Sequence, residues 1–483
     1  MKRVMQKRWV RILVRTAVIG LTLVALTTAI YNWWAAGQKK EAIARARAAG
    51  LPLTVEEFTA GMPPDEQNFA RRGIVGTLED EYAVRSNGAV DPASAKGRFQ
   101  AVGDYDVKRA LNRKLKDRDK PTDFSMLPDD GAYGKTPGSF LKEFDRRHSG
   151  LIGELQANLN LPYSRRRFVP EGFRGGVALV DLNEGFGLDS RRFVDGMLLR
   201  AEAALLTGDS VKATESLEMI ARMAETVGSR GTMVSVLVEF VSFRSIHRPL
   251  KLGIQGQQWT AKDLERVSAA LSRCDLRDAV KRGIESEVLM AQVWEGLNED
   301  RKRFSPKEFS YSFGGDNAPV TDWILEKGRT LIPSGFFDQC ATGAINRVIE
   351  GSAVAKRPET LTQWWKEAEK MSQAYESKGK LGRLTHTFPG AAVLLKRGTN
   401  ALVNVQLDIA ACEIERFRLE HGHYPESLDQ LPNHAGIDPL HGTPFRYEKS
   451  DQSFHLYSIG PDGVDDGGKE EQGAQIDQKD WIW

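Results

Sequence analysis

The sequence predicts a mainly α-helical protein with an N-terminal transmembrane helix and a small C-terminal α+β module. Three observations lead to this fold class: an uncharged segment near the N-terminus, helical spacing of apolar residues through the middle, and short alternating segments near the end. We expect four regions in order: a basic tail and anchor at 1–37, a juxtamembrane helix and irregular region at 38–139, a helical body at 140–400, and the module at 401–483.

The predicted anchor is the 19-residue uncharged segment 16–34, TAVIGLTLVALTTAIYNWW. A helix needs about 20 apolar residues to cross roughly 30 Å of hydrocarbon, and aromatic residues at the end of the segment are typical of the membrane–water interface. The helix-forming run 38–49 should extend this helix outward until Gly50. Six Lys or Arg precede the segment and four follow it, which favours a single-pass protein of the inner membrane with a cytoplasmic N-terminus and a periplasmic or extracellular body. A cleaved signal peptide is the alternative interpretation.

The charge distribution argues against one class of protein, and the cysteine spacing excludes two kinds of site. Residues 1–40 carry eight Lys or Arg and no acid, whereas the other 443 residues hold 59 basic and 65 acidic side chains, a net charge of −6. A mildly acidic body argues against a nucleic-acid-binding protein, which would present a basic surface. Cys274, Cys340 and Cys412 lie too far apart for a zinc ribbon or a CxxC redox pair, and we expect buried thiols.

Helical periodicity dominates the region 140–400. Apolar residues between 193 and 227 repeat at helical spacing on both sides of Gly208-Asp209, which predicts two helices joined by a tight turn. The pair resembles a tetratricopeptide hairpin, but the pattern does not repeat with a period of 34 residues, so a generic helical hairpin is favoured. Further helices are expected to start at Thr260 and at Leu276, the second with an apolar stripe reaching Trp294, and to cover 360–375.

The last 80 residues carry a family resemblance. Apolar spacing predicts a long helix to about His421, and the segments FRYEK and SFHLYSI after it predict a small antiparallel sheet. Three motifs then follow in order: HGHYPESL at 421–428, DPLHGTPFRY at 438–447 and LYSIGPDG at 456–463. Together they resemble the globular module of the major pseudopilin, protein G of type II secretion systems.

The resemblance does not extend to the N-terminal region. The family's G-F-T-L-x-E cleavage site does not occur near the apolar segment 16–34. We therefore expect an anchored protein that carries the module, not a processed pilin subunit. The sequence GLPLTVEEF at 50–58 is also similar to the opening of uncharacterised bacterial membrane-anchored proteins that end in the same module.

One group of residues suggests a metal site. Ser458, Asp462, Asp465 and Asp466 place four potential oxygen ligands within nine residues, with glycines between them. Calcium takes six to eight oxygen ligands from a loop that can curl around it, and close carboxylates repel each other unless a cation neutralises them. A solvated Asp-Gly turn is the alternative. The resemblance implies calcium, because pseudopilins bind it in this loop, with Ser458 and Asp462 at matching positions; Gln475 replaces one expected carboxylate.

The sequence leaves two functional hypotheses. It contains no GxxxxGK[ST], HExxH or GxSxG motif. The favoured hypothesis is a non-enzymatic scaffold of the bacterial envelope that binds protein partners through its helical body, with a calcium-stabilised module that links it to secretion-type or surface assemblies. The alternative is an exported, membrane-anchored hydrolase or other enzyme whose site is formed by scattered residues in 140–400.

Overall fold

A computed structural model describes residues 2–83, 91, 93–103, 121–127, 133–166, 178–289, 291, 298, 332–357, 361–377, 390–469 and 479–483. Over these residues the protein is mainly helical, with small antiparallel sheets near the C-terminus, as the sequence predicts.

The first helix, α1 (Lys2–Ala48), contains both the predicted span and its predicted extension. Gly50 ends it with a φ of +69°, a left-handed conformation that glycine adopts without steric cost. Apolar side chains in the first half of α1 point to solvent; Leu21, for example, is 71% exposed. Among the described residues, α1 is the one helix long and apolar enough to cross a membrane.

The body consists of helices of ordinary length. They are α2 (Val55–Phe58), α3 (Gly73–Ala83), α4 (Ala95–Val102), α5 (Pro137–Gln156), α6 (Ala178–Leu206), α7 (Ser210–Gly228), α8 (Met233–Gln255), α9 (Ala261–Ser272), α10 (Leu276–Ser286), α11 (Ser334–Ala355) and α12 (Leu361–Glu376). Short 3₁₀ turns at Asp65–Gln67, Phe69–Arg71 and Phe124–Met126 accompany α3 and α4, so the irregular region has the short helices expected of it.

The predicted hairpin is confirmed as α6 and α7. Gly208 has a φ of +78°, and the Asp209 carboxylate accepts a hydrogen bond from the Lys212 backbone N–H at 3.1 Å, which caps α7. Thr260 starts α9 with a reciprocal capping box to Asp263, also as predicted.

The helix expected from Leu276 is shorter than the sequence suggests. α10 stops at Ser286 and passes into a 3₁₀ turn at Glu287–Leu289, where the capping backbone N–H of Glu287 bonds to both Ile284 and Glu285 carbonyls. The apolar spacing continues to Val288, which is buried, although the α-helix does not. The Trp294 end of the predicted stripe lies outside the described residues.

A 32-residue helix, α13 (Gly390–His421), connects the body to the C-terminal sheets. It packs against α8, α9, α10 and α12 and, further along, against the strands β1 (Ile437–Asp438) and β4 (Phe454–Ser458). β1 pairs with β2 (Thr443–Pro444), while β3 (Arg446–Lys449), β4 and β5 (Trp481–Ile482) form an antiparallel sheet in that order.

The predicted start of the module, residue 401, therefore lies inside a helix. Leu394 and Leu395 are fully buried before that position, and Val403 and Leu407 are buried after it, so the apolar stripe crosses the boundary without a break. One apolar core runs from Ala42 in α1 to Trp483 at the C-terminus.

Candidate functional site

The outer part of α1 packs lengthwise on α11, and we call this contact the anchor–body junction (residues 31–48 of α1 and the following Ala49, with α11). Three alanines of α1 point into the contact, and Ala35, Ala42 and Ala46 are each 0% exposed. They recur at helical spacing on one face, and their small side chains let the two helices approach closely. The helix that could span a membrane is thus continuous with one that belongs to the body's core.

Polar contacts line the same junction and fix its register. The Asn32 Oδ1 atom accepts the Gly335 N–H at 2.8 Å, and a Lys39–Asp338 ion pair of 2.7 Å lies further along. The remaining contacts join Arg45 to Asn346 at 2.9 Å and the Lys356 ammonium to the Ala49 carbonyl at 3.3 Å. Along these four contacts the residue numbers increase in the same direction on both helices, so α1 and α11 run parallel.

Asn32 has a specific structural role in this junction. The N-cap residue of α11, Pro333, makes no side-chain capping bond, and the amide of Asn32 supplies the acceptor from the neighbouring helix. A Cβ on Gly335 would lie only 3.0 Å from the Asn32 Cα, so glycine permits this close approach. Sequence reasoning missed the contact because its partners are 303 residues apart and no local pattern links them.

The predicted calcium ligands lie in two separate hydrogen-bond networks. The Ser458 hydroxyl donates to the buried Asp438 carboxylate at 2.6 Å, away from the acidic loop, and Leu440 N–H donates to the same carboxylate at 2.7 Å. Burial raises the pKa of Asp438 above its ordinary value. Ser458 therefore joins β4 to the β1 end of the sheets.

The three predicted aspartates lie in the loop after β4. Asp465 accepts from the Arg446 guanidinium at 2.7 Å and from the Tyr457 hydroxyl at 3.0 Å; the Arg446 hydrogen bond lowers the pKa of the Asp465 carboxyl. Asp462 is exposed and accepts the backbone N–H of Val464 at 3.1 Å. Asp466 is exposed too.

The structure adds Asp480 to this loop, a residue that sequence reasoning missed. Its Oδ2 atom accepts the backbone N–H groups of Asp466 at 3.0 Å and Gly468 at 2.8 Å, while its Oδ1 atom is buried and has no hydrogen-bond partner among the described residues. Burial raises the pKa of Asp480, and the charges of Asp465 and Asp466 raise it further. Over the described part of the chain, no three His, Cys, Asp or Glu side chains are grouped so as to hold a metal ion.

A histidine–carboxylate pair joins the body to the C-terminus. His247 Nδ1 on α8 lies 2.8 Å from Asp408 Oδ1 on α13, and the Trp483 indole N–H donates to the same oxygen at 3.0 Å. Asp408 is 1% exposed, whereas the His247 side chain is 27% exposed and its Nε2 atom bonds to no described residue. A buried carboxylate that orients Nδ1 leaves Nε2 available for proton transfer or ligand binding.

A cleft of about 590 Å³ lies between the end of α5, α7 and α9. Charged side chains in its walls form ion pairs. Arg266 donates two hydrogen bonds, of 3.0 and 2.7 Å, to the Glu218 carboxylate, and Arg222 pairs with Glu225. Cys274 also lines the cleft, and burial of the thiol raises its pKa well above the usual value. Cys340 and Cys412 are buried as predicted, whereas Cys274 is only partly buried.

Scans of protein-family models, of curated proteins and of solved structures each return no match to this chain. The resemblance of 401–483 to the pseudopilin module therefore stays a prediction from the motifs.

Proposed function

We propose that the protein is a single-pass membrane protein of the bacterial envelope whose export-side body acts as a non-enzymatic scaffold for protein partners. The observation that carries this proposal is the anchor–body junction. The apolar half of α1 is exposed, while its outer half is built into the core through Ala35, Ala42 and Ala46. Cleavage of a signal peptide directly after the apolar segment would leave Ala42 and Ala46 on α11, but it would remove Asn32 and so leave the first turn of α11 without its cap.

The body offers an apolar surface suited to a partner. Val234 and Val241 lie seven residues apart on α8 and are 42% and 52% exposed, with partly buried Leu237 and Val238 between them. Residues at this spacing share one helix face, which supports a scaffold that binds through helices.

Alkaline extraction of membranes and protease treatment of spheroplasts test the anchor and its orientation. The full-length protein should stay in the membrane pellet at high pH and keep an N-terminal tag, and external protease should degrade the body. A body released by alkali, or one protected from protease in intact spheroplasts, would contradict the proposal.

We further propose that calcium stabilises the pseudopilin-like module and that the module links the scaffold to secretion-type or surface assemblies. What supports the ion is that the charges of Asp465 and Asp466 raise the pKa of Asp480, and that no described group bonds to the buried Asp480 Oδ1, since a divalent cation would relieve both. Asp462 would supply a further carboxylate from the same loop.

Calorimetry with calcium or chelator tests the ion. Calcium should raise the melting temperature of the wild type but not that of Asp466→Ala, whose exposed side chain has little structural role. The matched control is Asp451→Ala, an equally exposed aspartate in the β3–β4 turn, which should respond as the wild type does. An identical wild-type melting profile with calcium and with chelator would refute the site.

The His247–Asp408 pair favours a second candidate, an exported membrane-anchored hydrolase. The Nε2 atom of His247 could act as a general base toward water, with Asp408 fixing the ring. Hydrolysis of a panel of ester and peptide substrates should then fall strongly in His247→Gln and stay unchanged in His421→Gln, an exposed histidine at the end of α13. Equal activity of both variants, or none in the wild type, would leave the scaffold as the function.

A further inference from the structure

The first turn of α11 begins at the outer end of the apolar segment of α1. The Asn32 amide bonds to Gly335 N–H at 2.8 Å, and a Cβ on Gly335 would contact Tyr31 Cε1 at 2.9 Å. Because α1 and α11 run parallel from this point, α11 leads away from the apolar segment. Its residues 332–337 therefore share the depth of residues 31–34.

The depth can be estimated from helix geometry. Tyr31, Trp33 and Trp34 form an aromatic belt of the kind that lies at the membrane–water interface, so the hydrocarbon ends near Ile30. Asn32 lies two residues beyond Ile30, or about 3 Å further along the helix. A tilt of about 20° across an interaxial distance of about 9 Å changes the depth by roughly 3 Å. The headgroup layer on each side of the hydrocarbon is about 5–7 Å thick. The first turn of α11 consequently falls within this layer.

The composition of 332–337, IPSGFF, suits that environment. Ile332, Pro333, Ser334 and Phe336 are half-buried, so part of each reaches the surface, and Phe336 stacks edge-on against the buried Phe337. Apolar and aromatic side chains with one hydroxyl are favourable where headgroups meet acyl chains. Tyr31, Trp33 and Trp34 on α1 would form the neighbouring part of the same belt.

We propose that residues 332–337 are a second membrane contact, which lies in the lipid headgroup layer beside the anchor. This rests on the proposed function, in which α1 spans the membrane. Two contacts at one depth would fix the rotation of the body about the anchor as well as its distance from the bilayer.

The test measures the depth of three labelled positions in the full-length protein. Cys274→Ser removes the partly exposed thiol, and the two remaining cysteines are 0% exposed, so we expect neither to react with the label under native conditions. An environment-sensitive fluorophore is attached to Ser334→Cys, a nearly isosteric change in the first turn of α11. The controls are Leu26→Cys in the apolar segment and Ala353→Cys, an exposed position about 28 Å further along α11.

The proteins are reconstituted in phosphatidylcholine–phosphatidylglycerol vesicles that carry nitroxides either on the headgroup or on the acyl chain. We expect the headgroup nitroxide to quench the label at 334, the acyl-chain nitroxide to quench the label at 26, and neither to quench the label at 353. If position 26 is quenched while 334 behaves like 353, the anchor stands and the second contact is refuted. Stronger quenching of 334 by the acyl-chain nitroxide would also overturn the headgroup assignment. If position 26 is not quenched, the proposed function itself fails.

Discussion

Enlarging one buried alanine should open the anchor–body junction. Ala42 is 0% exposed between α1 and α11, so Ala42→Leu inserts three extra carbon atoms into a closed contact. Overpacking of this kind costs about 1–3 kcal/mol, because neighbouring side chains and backbone must shift. The matched control is Ala44→Leu, two residues away on the exposed side of α1, where the same change alters helix propensity by only a few tenths of a kcal/mol.

Limited trypsin digestion reports the opening directly, since Lys39, Lys40, Arg45 and Arg47 are cleavage sites within the junction. When the junction recloses faster than trypsin cuts, the cleavage rate follows the population of the open form. A loss of about 1–3 kcal/mol in the stability of the junction therefore makes cleavage about 5- to 150-fold faster than in the wild type. Ala44→Leu should be cut at the wild-type rate, and mass spectrometry of the released body identifies the site. If Ala42→Leu is cut no faster than Ala44→Leu, this face of α1 does not pack on the body, and the junction does not hold α1 in place.

Three further predictions concern other single contacts. Asn32→Ala should speed the same cleavage by about 2- to 30-fold, because loss of a cap costs about 0.5–2 kcal/mol; an unchanged rate would contradict the capping role. Burial lowers the pKa of His148 to about 4, so between pH 6.5 and 4 the unfolded chain binds a proton that the folded protein does not. The free energy of unfolding should therefore fall by up to about 3 kcal/mol as the pH drops through that range, and His148→Gln should remove this part of the slope in urea titrations. Trp483→Phe keeps an aromatic ring but removes the indole donor to Asp408. This change should lower the free energy of unfolding by about 1.5–3 kcal/mol in urea denaturation. An unchanged urea midpoint would contradict the prediction.

Local patterns predicted the helices because their signals are local. The Gly208-Asp209 turn, the Thr260 cap and the end of α13 at Gly422, whose φ is +80°, each depend on residues within one turn of the helix terminus. The start of α13 was harder to place, since Leu394 and Leu395 are buried by other helices and not by a local motif.

The sites depend on contacts that no local pattern encodes. Asp408 and His247 lie 161 residues apart, and in the sequence each looks like an ordinary polar residue of a helix. Ser458 could be predicted as an oxygen donor, but its choice of Asp438 depends on how β4 and β1 come together. The calcium prediction depends on contacts of the same kind, because ligands in a loop become a site only when the chain brings them to one point.

The form of the junction bears on what the protein is for. A protein that needs only attachment to a bilayer can use a flexible linker, which holds the body near the membrane without fixing its direction. Here the chain continues from the apolar segment as an unbroken helix, and three fully buried alanines, an interhelical cap and a 2.7 Å ion pair set its register against α11. α11 in turn packs on α13, which contacts the C-terminal sheets. The Trp483 indole at the C-terminus donates a hydrogen bond to Asp408 on that helix. The directions of the body and of the C-terminal sheets are therefore fixed relative to the apolar segment. The proposed scaffold requires this, because it must present one face to a partner at a fixed orientation to the membrane.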